Sequence, residues 1–295
     1  MKKLTNITGV ILLIVAFTRC EKSNDHGPIP INSPTETPYE DLEKRIRTTY
    51  DSRAVFTWDQ YLTLLHELSD KKFLVLPLNE MRKTFNNSKV VIGFRHDVDF
   101  NPFKALEMAK IEKDFGIRAT YFILPTSDYY GFISRKGFVR NTGIDSLIRK
   151  IYETGAEIGI HNDLLTVMID DGEDPFIFNQ KDLAFYNSLN IPIYGSSSHG
   201  SPIAKKTVPN FQIFSEFAKQ DTIHFHGSVY PIGRRSLQEY GYEYEAYFIN
   251  FNKYYSDADG KWNDPHGFSG IIEKLKESKP GDRIEILTHP DWWGK

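Results

Sequence analysis

From Val90 onward, short apolar runs rich in β-branched residues alternate with segments of helical period, and that alternation is what most restricts the fold. Apolar runs of this length bounded by turn signals suit buried strands, and strands interleaved with helices build a parallel sheet. The first run, Val90-Val91-Ile92-Gly93-Phe94, leads into Arg95-His96-Asp97-Val98-Asp99. Asn101 and Pro102 then supply an N-cap and a first-turn proline for a helix that Gly116 ends. Strands are expected over 117–124 and 156–160, the second delivering His161, with a helix carrying Ile144, Leu147, Ile148 and Ile151 between them. A helix over 180–189 precedes a strand at 191–195 and the run Ser196-Ser197-Ser198-His199-Gly200. A helix around 211–219 precedes Thr222-Ile223-His224-Phe225-His226, and a helix at 271–276 precedes a strand over 283–288 that ends at His289. The expected class is α/β, with a barrel-like parallel sheet wrapped by helices.

In such sheets functional groups gather at the carboxyl ends of the strands. Here those ends carry Asp97, Asp99, His161, His199, His226 and His289, against strand interiors that are otherwise apolar. Side chains alternate along a strand, so Asp97 and Asp99 leave it on the same side. Two adjacent carboxylates repel each other unless a metal or a proton stands between them. His96 faces the other way and suits a histidine satisfied in the layer behind. His224 and His226, two residues apart, form a further pair with metal-binding spacing, while His26 and His66 carry no pattern.

The chain divides into a signal segment at 1–20, a flexible tether at 21–38, a helical extension at 39–88 and the barrel at 89–295. Lys2 and Lys3 precede a short apolar core from Val10 to Phe17, too short to span a membrane comfortably. Cys20 is the only cysteine, so no intramolecular disulfide is available. Its place just past the apolar core resembles the lipidated cysteine of bacterial lipoproteins, although Arg19 stands where those carry a small residue. That resemblance implies export across the inner membrane and lipid anchoring, periplasmic or at the cell surface. In the extension, Thr57 or Asp59 caps a helix with Tyr61, Leu64, Leu65 and Leu68 on one face, and 73–76 suits a short strand. With 36 Lys+Arg against 39 Asp+Glu, the chain has no basic excess to recruit nucleic acid.

Three segments, in order, resemble the polysaccharide deacetylase superfamily, the NodB homology domain of carbohydrate esterase family 4. They are Phe94-Arg95-His96-Asp97-Val98-Asp99, Gly159-Ile160-His161 and Leu287-Thr288-His289-Pro290, in a branch whose first motif reads Arg-His-Asp-Val-Asp. The resemblance implies a distorted seven-stranded (β/α) barrel and a metal-dependent hydrolase that removes N- or O-linked acetyl groups from an acetylated polysaccharide. It implies Asp97 as catalytic base, Asp99 and His161 as ligands of a divalent metal, zinc, and His289 as general acid. Leu287 would line the acetyl pocket, and Asp257 would support the acid histidine. Leu165 occupies the position of the second motif histidine, so His199 is taken as the third ligand, with His226 in reserve. The arginine motif after that strand is replaced by Ser-His-Gly. Trp292 and Trp293 are expected at the rim, stacking on sugar. The alternatives are a non-catalytic glycan-binding lipoprotein on the same barrel, which Leu165 favours, or another C–N or ester hydrolase.

Overall fold

The computed structural model describes residues 39–134 and 137–295; the signal segment with Cys20 and the tether at 21–38 lie outside the described residues. Helix α1 (Tyr39–Tyr50) ends in a 3-10 turn, Asp51–Arg53, and α2 (Trp58–Leu68) follows. Thr57 caps α2 in a reciprocal box with Gln60, and Tyr61, Leu64, Leu65 and Leu68 are its buried face, as the spacing predicts. Strand β1 (Phe73–Leu76) and the short α3 (Leu78–Met81) lead to β2 (Val90–Val98), which is buried along its whole length. Asn101 caps α4 (Pro102–Asp114), and β3 (Thr120–Ile123) returns to the sheet.

A hairpin of β4 (Gly131–Ser134) and β5 (Gly137–Arg140) precedes α5 (Ile144–Tyr152) and β6 (Glu157–Asn162). Then come α6 (Leu164–Ile169), α7 (Pro175–Ser188), β7 (Gly195–Ser198) and α8 (Pro202–Lys206). A second hairpin, β8 (Thr222–Phe225) with β9 (Ser228–Pro231), precedes α9 (Leu237–Tyr240) and β10 (Tyr244–Glu245). The chain closes with β11 (Lys253–Ser256), α10 (Gly267–Lys276) and β12 (Arg283–Thr288).

The main sheet runs β10-β7-β6-β3-β2-β12-β11, every neighbouring pair parallel. It curls into a half-barrel of the α/β class. β12 occupies one edge of β2, and the other edge is shared by β1 along residues 90–93 and β3 along residues 95–98. Alternation along β2 separates two environments. Val90, Ile92 and Phe94 join the large core against the helices, whereas Val91 joins Phe122, Tyr244, Leu78 and Met81 in a smaller cluster. His96 belongs to the first side, where Thr288 Oγ1 lies 2.6 Å from its Nδ1 and Glu112 of α4 lies 2.7 Å from its Nε2. It is wholly buried on the face away from the cleft, as its alternation with Asp97 predicts.

Two expected elements differ. The apolar residues at 191–194 are only the approach to a strand, and β7 itself is the Gly-Ser-Ser-Ser run. Its polarity is supported by buried Glu245, which accepts from Ser196 Oγ at 2.7 Å and from the Ser198 amide at 2.8 Å. The helix expected around 211–219 shrinks to a 3-10 turn at Asn210–Ile213, beside which Phe211 and Phe217 pack on each other edge to face.

Candidate metal centre and acid–base pair

Sheet order brings distant sequence positions side by side. From β7 across to β11, the carboxyl ends present His199, His161, Asp97 with Asp99, His289 and Asp257. His161 sits in β6 with Nδ1 2.9 Å from the carbonyl of Ser197 on β7. A carbonyl only accepts, so the neutral ring carries its proton on Nδ1 and keeps a lone pair on Nε2. That Nε2 lies 3.3 Å from Asp99 Oδ1 and 3.6 Å from Asp97 Oδ2. One step past β7, the His199 amide donates to the Asn162 carbonyl at 2.8 Å, which sets its ring 4.9 Å, centroid to centroid, from that of His161.

Asp99, His161 and His199 each offer one ligand atom, and these atoms all lie within 4.8 Å of one another. The cluster fits a divalent cation. Asp99 Oδ1 is buried and makes no hydrogen bond among the described residues, an arrangement that a cation would resolve. Two imidazoles and one carboxylate are also a donor set suited to a three-ligand site with an open position. Leu165 is wholly buried in the core, and the second imidazole of the cluster comes instead from the residue that follows β7.

Asp163 stands behind His199, with Oδ2 3.3 Å from its Nδ1. The same carboxylate accepts from Thr126 Oγ1 at 2.9 Å, Thr166 Oγ1 at 2.7 Å and Asn210 Nδ2 at 3.1 Å. Burial opposes its charge, but its contacts with His199 and the hydroxyls hold it below the usual carboxylate range. The reserve ligand is excluded. His226 lies at the exposed turn of the β8–β9 hairpin, with a left-handed φ of 47°, and that hairpin is not part of the main sheet. His224 is exposed on the same hairpin, so the pair forms no buried site.

On the other side of the cluster, Asp97 is almost fully buried and held by a fully buried arginine. Arg95 donates from Nη2 to Asp97 Oδ2 at 3.0 Å and from Nη1 to Glu285 Oε1 at 2.8 Å. Burial pushes the Asp97 carboxyl up, yet Arg95, then His161 and His289, bring it below the usual range, so it stays charged. Glu285, more deeply desolvated than its single arginine contact offsets, is pushed up to about 7.

His289 lies just past β12, with Nδ1 2.7 Å from Asp257 Oδ1 while its amide donates to the same carboxylate at 3.0 Å. Trp293 Nε1 donates to Asp257 Oδ2 at 2.8 Å. Burial alone would lower the His289 imidazole; the hydrogen bond and charge of Asp257, with Asp99 and Asp97 behind it, push it up to about 10.

One cleft of about 400 Å³ opens onto Asp97, Asp99, His161, His199 and His289, with Leu287 and Trp292 on its walls. Trp293 does not reach it. Its ring is fully buried, 4.9 Å from Phe56 and 5.1 Å from Tyr61, so the expected rim position holds only for Trp292. The next residue in an irregular stretch points the other way, inward. Arg53, Tyr247 and Tyr254 also line the cleft, and none of them is singled out by its sequence surroundings. No helix among the described residues is long and apolar enough to cross a membrane. No family model matches the chain, and no curated protein matches it.

Proposed function

We propose that the protein is a metal-dependent hydrolase of the polysaccharide deacetylase type, releasing acetate from N- or O-acetyl groups of an acetylated polysaccharide. The observation that carries this is the placement of a charged carboxylate, Asp97, and a carboxylate-backed imidazole, His289, on one cleft with the Asp99–His161–His199 cluster. Simple binding needs neither a base nor an acid.

Asp99, His161 and His199 would hold the cation, zinc by the donor set. Bound there, it supplies a polarised carbonyl and a water of lowered pKa. Asp97, kept charged and fixed in direction by Arg95, accepts the proton of the attacking water. As the acetyl carbon–nitrogen or carbon–oxygen bond breaks, His289 gives the leaving atom a proton from Nε2, its Nδ1 being occupied by Asp257. The Asp257 carboxylate on Nδ1 holds the imidazole in its protonated form, ready to give up the Nε2 proton. Leu287 offers an apolar wall for the acetyl methyl, and Trp292 a flat surface for a pyranose ring.

The test is acetate release from a panel of N- and O-acetylated glycans by zinc-loaded protein. Asp97→Asn should lower release by about 10²–10⁴ with metal content retained. A wild-type protein that holds zinc and frees no acetate from any member of the panel would overturn the proposal. Lipidation at Cys20, with the chain held at a membrane, belongs to the same proposal. It fails if wild type and Cys20→Ser partition alike between membrane and soluble fractions.

A further inference from the structure

Arg53 belongs to the 3-10 turn after α1, in the segment that precedes the sheet, yet its side chain forms part of the cleft wall. Its guanidinium carbon lies 4.0 Å from the centre of the Phe100 ring and 4.7 Å from that of Trp292. Both rings line the same cleft. The guanidinium therefore packs against two aromatic rings, each favourable to a cation. Its Nε is 3.6 Å from Asp291 Oδ2, an ion pair too long for a hydrogen bond.

No side-chain hydrogen bond ties down Arg53 among the described residues, and the group is 30% exposed. Its backbone surroundings are firmly placed. The amides of Val55 and Phe56 both donate to the Trp292 carbonyl at 2.8 Å, and Phe56 bridges to Trp293. A half-buried arginine packed against rings, ion-paired only through Nε, with no hydrogen bond on its Nη atoms among the described residues and with a firmly held backbone after it, is preorganised for a planar anion. Lys205 lines the cleft as a second cation, and Asp259 is the exposed acid facing it.

Resting on the glycan reading above, we infer that Arg53 is a specificity-determining subsite for a carboxylate carried by the polysaccharide, so that the substrate class is an acidic, acetylated glycan. The planar carboxylate matches the planar guanidinium and adds charge to two parallel hydrogen bonds, whereas a neutral pyranose offers only single, uncharged acceptors.

The experiment compares binding of an acetylated oligouronide with its carboxyl-reduced, neutral counterpart, measured calorimetrically on the full chain. Wild type should bind the acidic oligosaccharide about tenfold or more tightly than the neutral one. Arg53→Gln should reduce that ratio to near one, and Arg53→Lys, which keeps charge but not the fork, should give an intermediate ratio. Circular dichroism of each variant establishes that it is folded. Equal wild-type affinity for the two, binding to neither, or a preference that survives Arg53→Gln overturns the assignment. Acetate release is scored separately on the same two glycans. A protein that prefers the acidic glycan through Arg53 but frees no acetate would defeat the hydrolase proposal and leave the subsite standing.

Discussion

Trp293 donates its indole N–H to Asp257 at 2.8 Å, and through that carboxylate the hydrophobic core reaches His289, whose Nδ1 lies 2.7 Å from the other oxygen. Asp257 is wholly buried, so its direction is set by packing rather than by solvent.

Asp257→Asn should therefore lower the His289 pKa, read from labelled imidazole resonances during a pH titration. The folded value, about 10, lies above the unfolded 6.5, so the stability this pairing contributes is present below pH 6.5 and lost as pH rises through 10. Thermal melts should show that decline in wild type and not in Asp257→Asn. Trp293→Phe keeps most of the buried ring but leaves Asp257 one donor short, at about 1–3 kcal/mol by denaturant unfolding. Trp293→Ala should cost about 3–5 kcal/mol.

Metal stoichiometry separates the ligand set from its surroundings. Wild type should hold one divalent ion per chain, and Asp99→Ala, His161→Ala and His199→Ala should each lose it when analysed by plasma mass spectrometry after gel filtration. Asp163→Asn should weaken affinity by about 10- to 100-fold, because it orients His199 without replacing it. His226→Ala should bind like wild type. Retention of the ion by His199→Ala would remove that residue from the centre.

Arg95 bridges two buried carboxylates, so its removal strands both. Arg95→Met should cost about 3–5 kcal/mol near neutral pH. The loss should shrink in mild acid. Glu285 is already pushed up to about 7 by burial, so the folded state favours its protonated form, and stability falls as pH rises from the unfolded value of 4.5 through 7. Without Arg95 that window moves further upward. Urea titrations at pH 5 and pH 8 would reveal an equal loss at both values if the carboxylate were instead satisfied by another partner.

Much of this was readable in residue order because strand ends are where an apolar run stops and chemistry begins. Asp97, His161 and His289 each follow such a run, and the parallel sheet does bring them together. His199 and His226 could not be separated that way. The strand before His199 is made of glycine and serine, whose pairing depends on Glu245 some fifty positions later, whereas the apolar residues before His226 form a peripheral hairpin. Trp292 and Trp293 are adjacent in a stretch with no repeating period, so nothing local tells which faces water. Arg53 was invisible for another reason. Its setting depends on Phe100 and Trp292, rings contributed from positions far along the chain.

β12 is the final strand in sequence but an interior strand of the sheet, seated between β2 and β11. A ribosome therefore delivers the Asp99–His161–His199 cluster well before it delivers His289. At about 5–20 residues per second, the interval between His199 and His289 is on the order of 5–20 s. Until β12 is present, the edge of β2 that it pairs with has no partner, so the sheet cannot be completed before its last strand has been made.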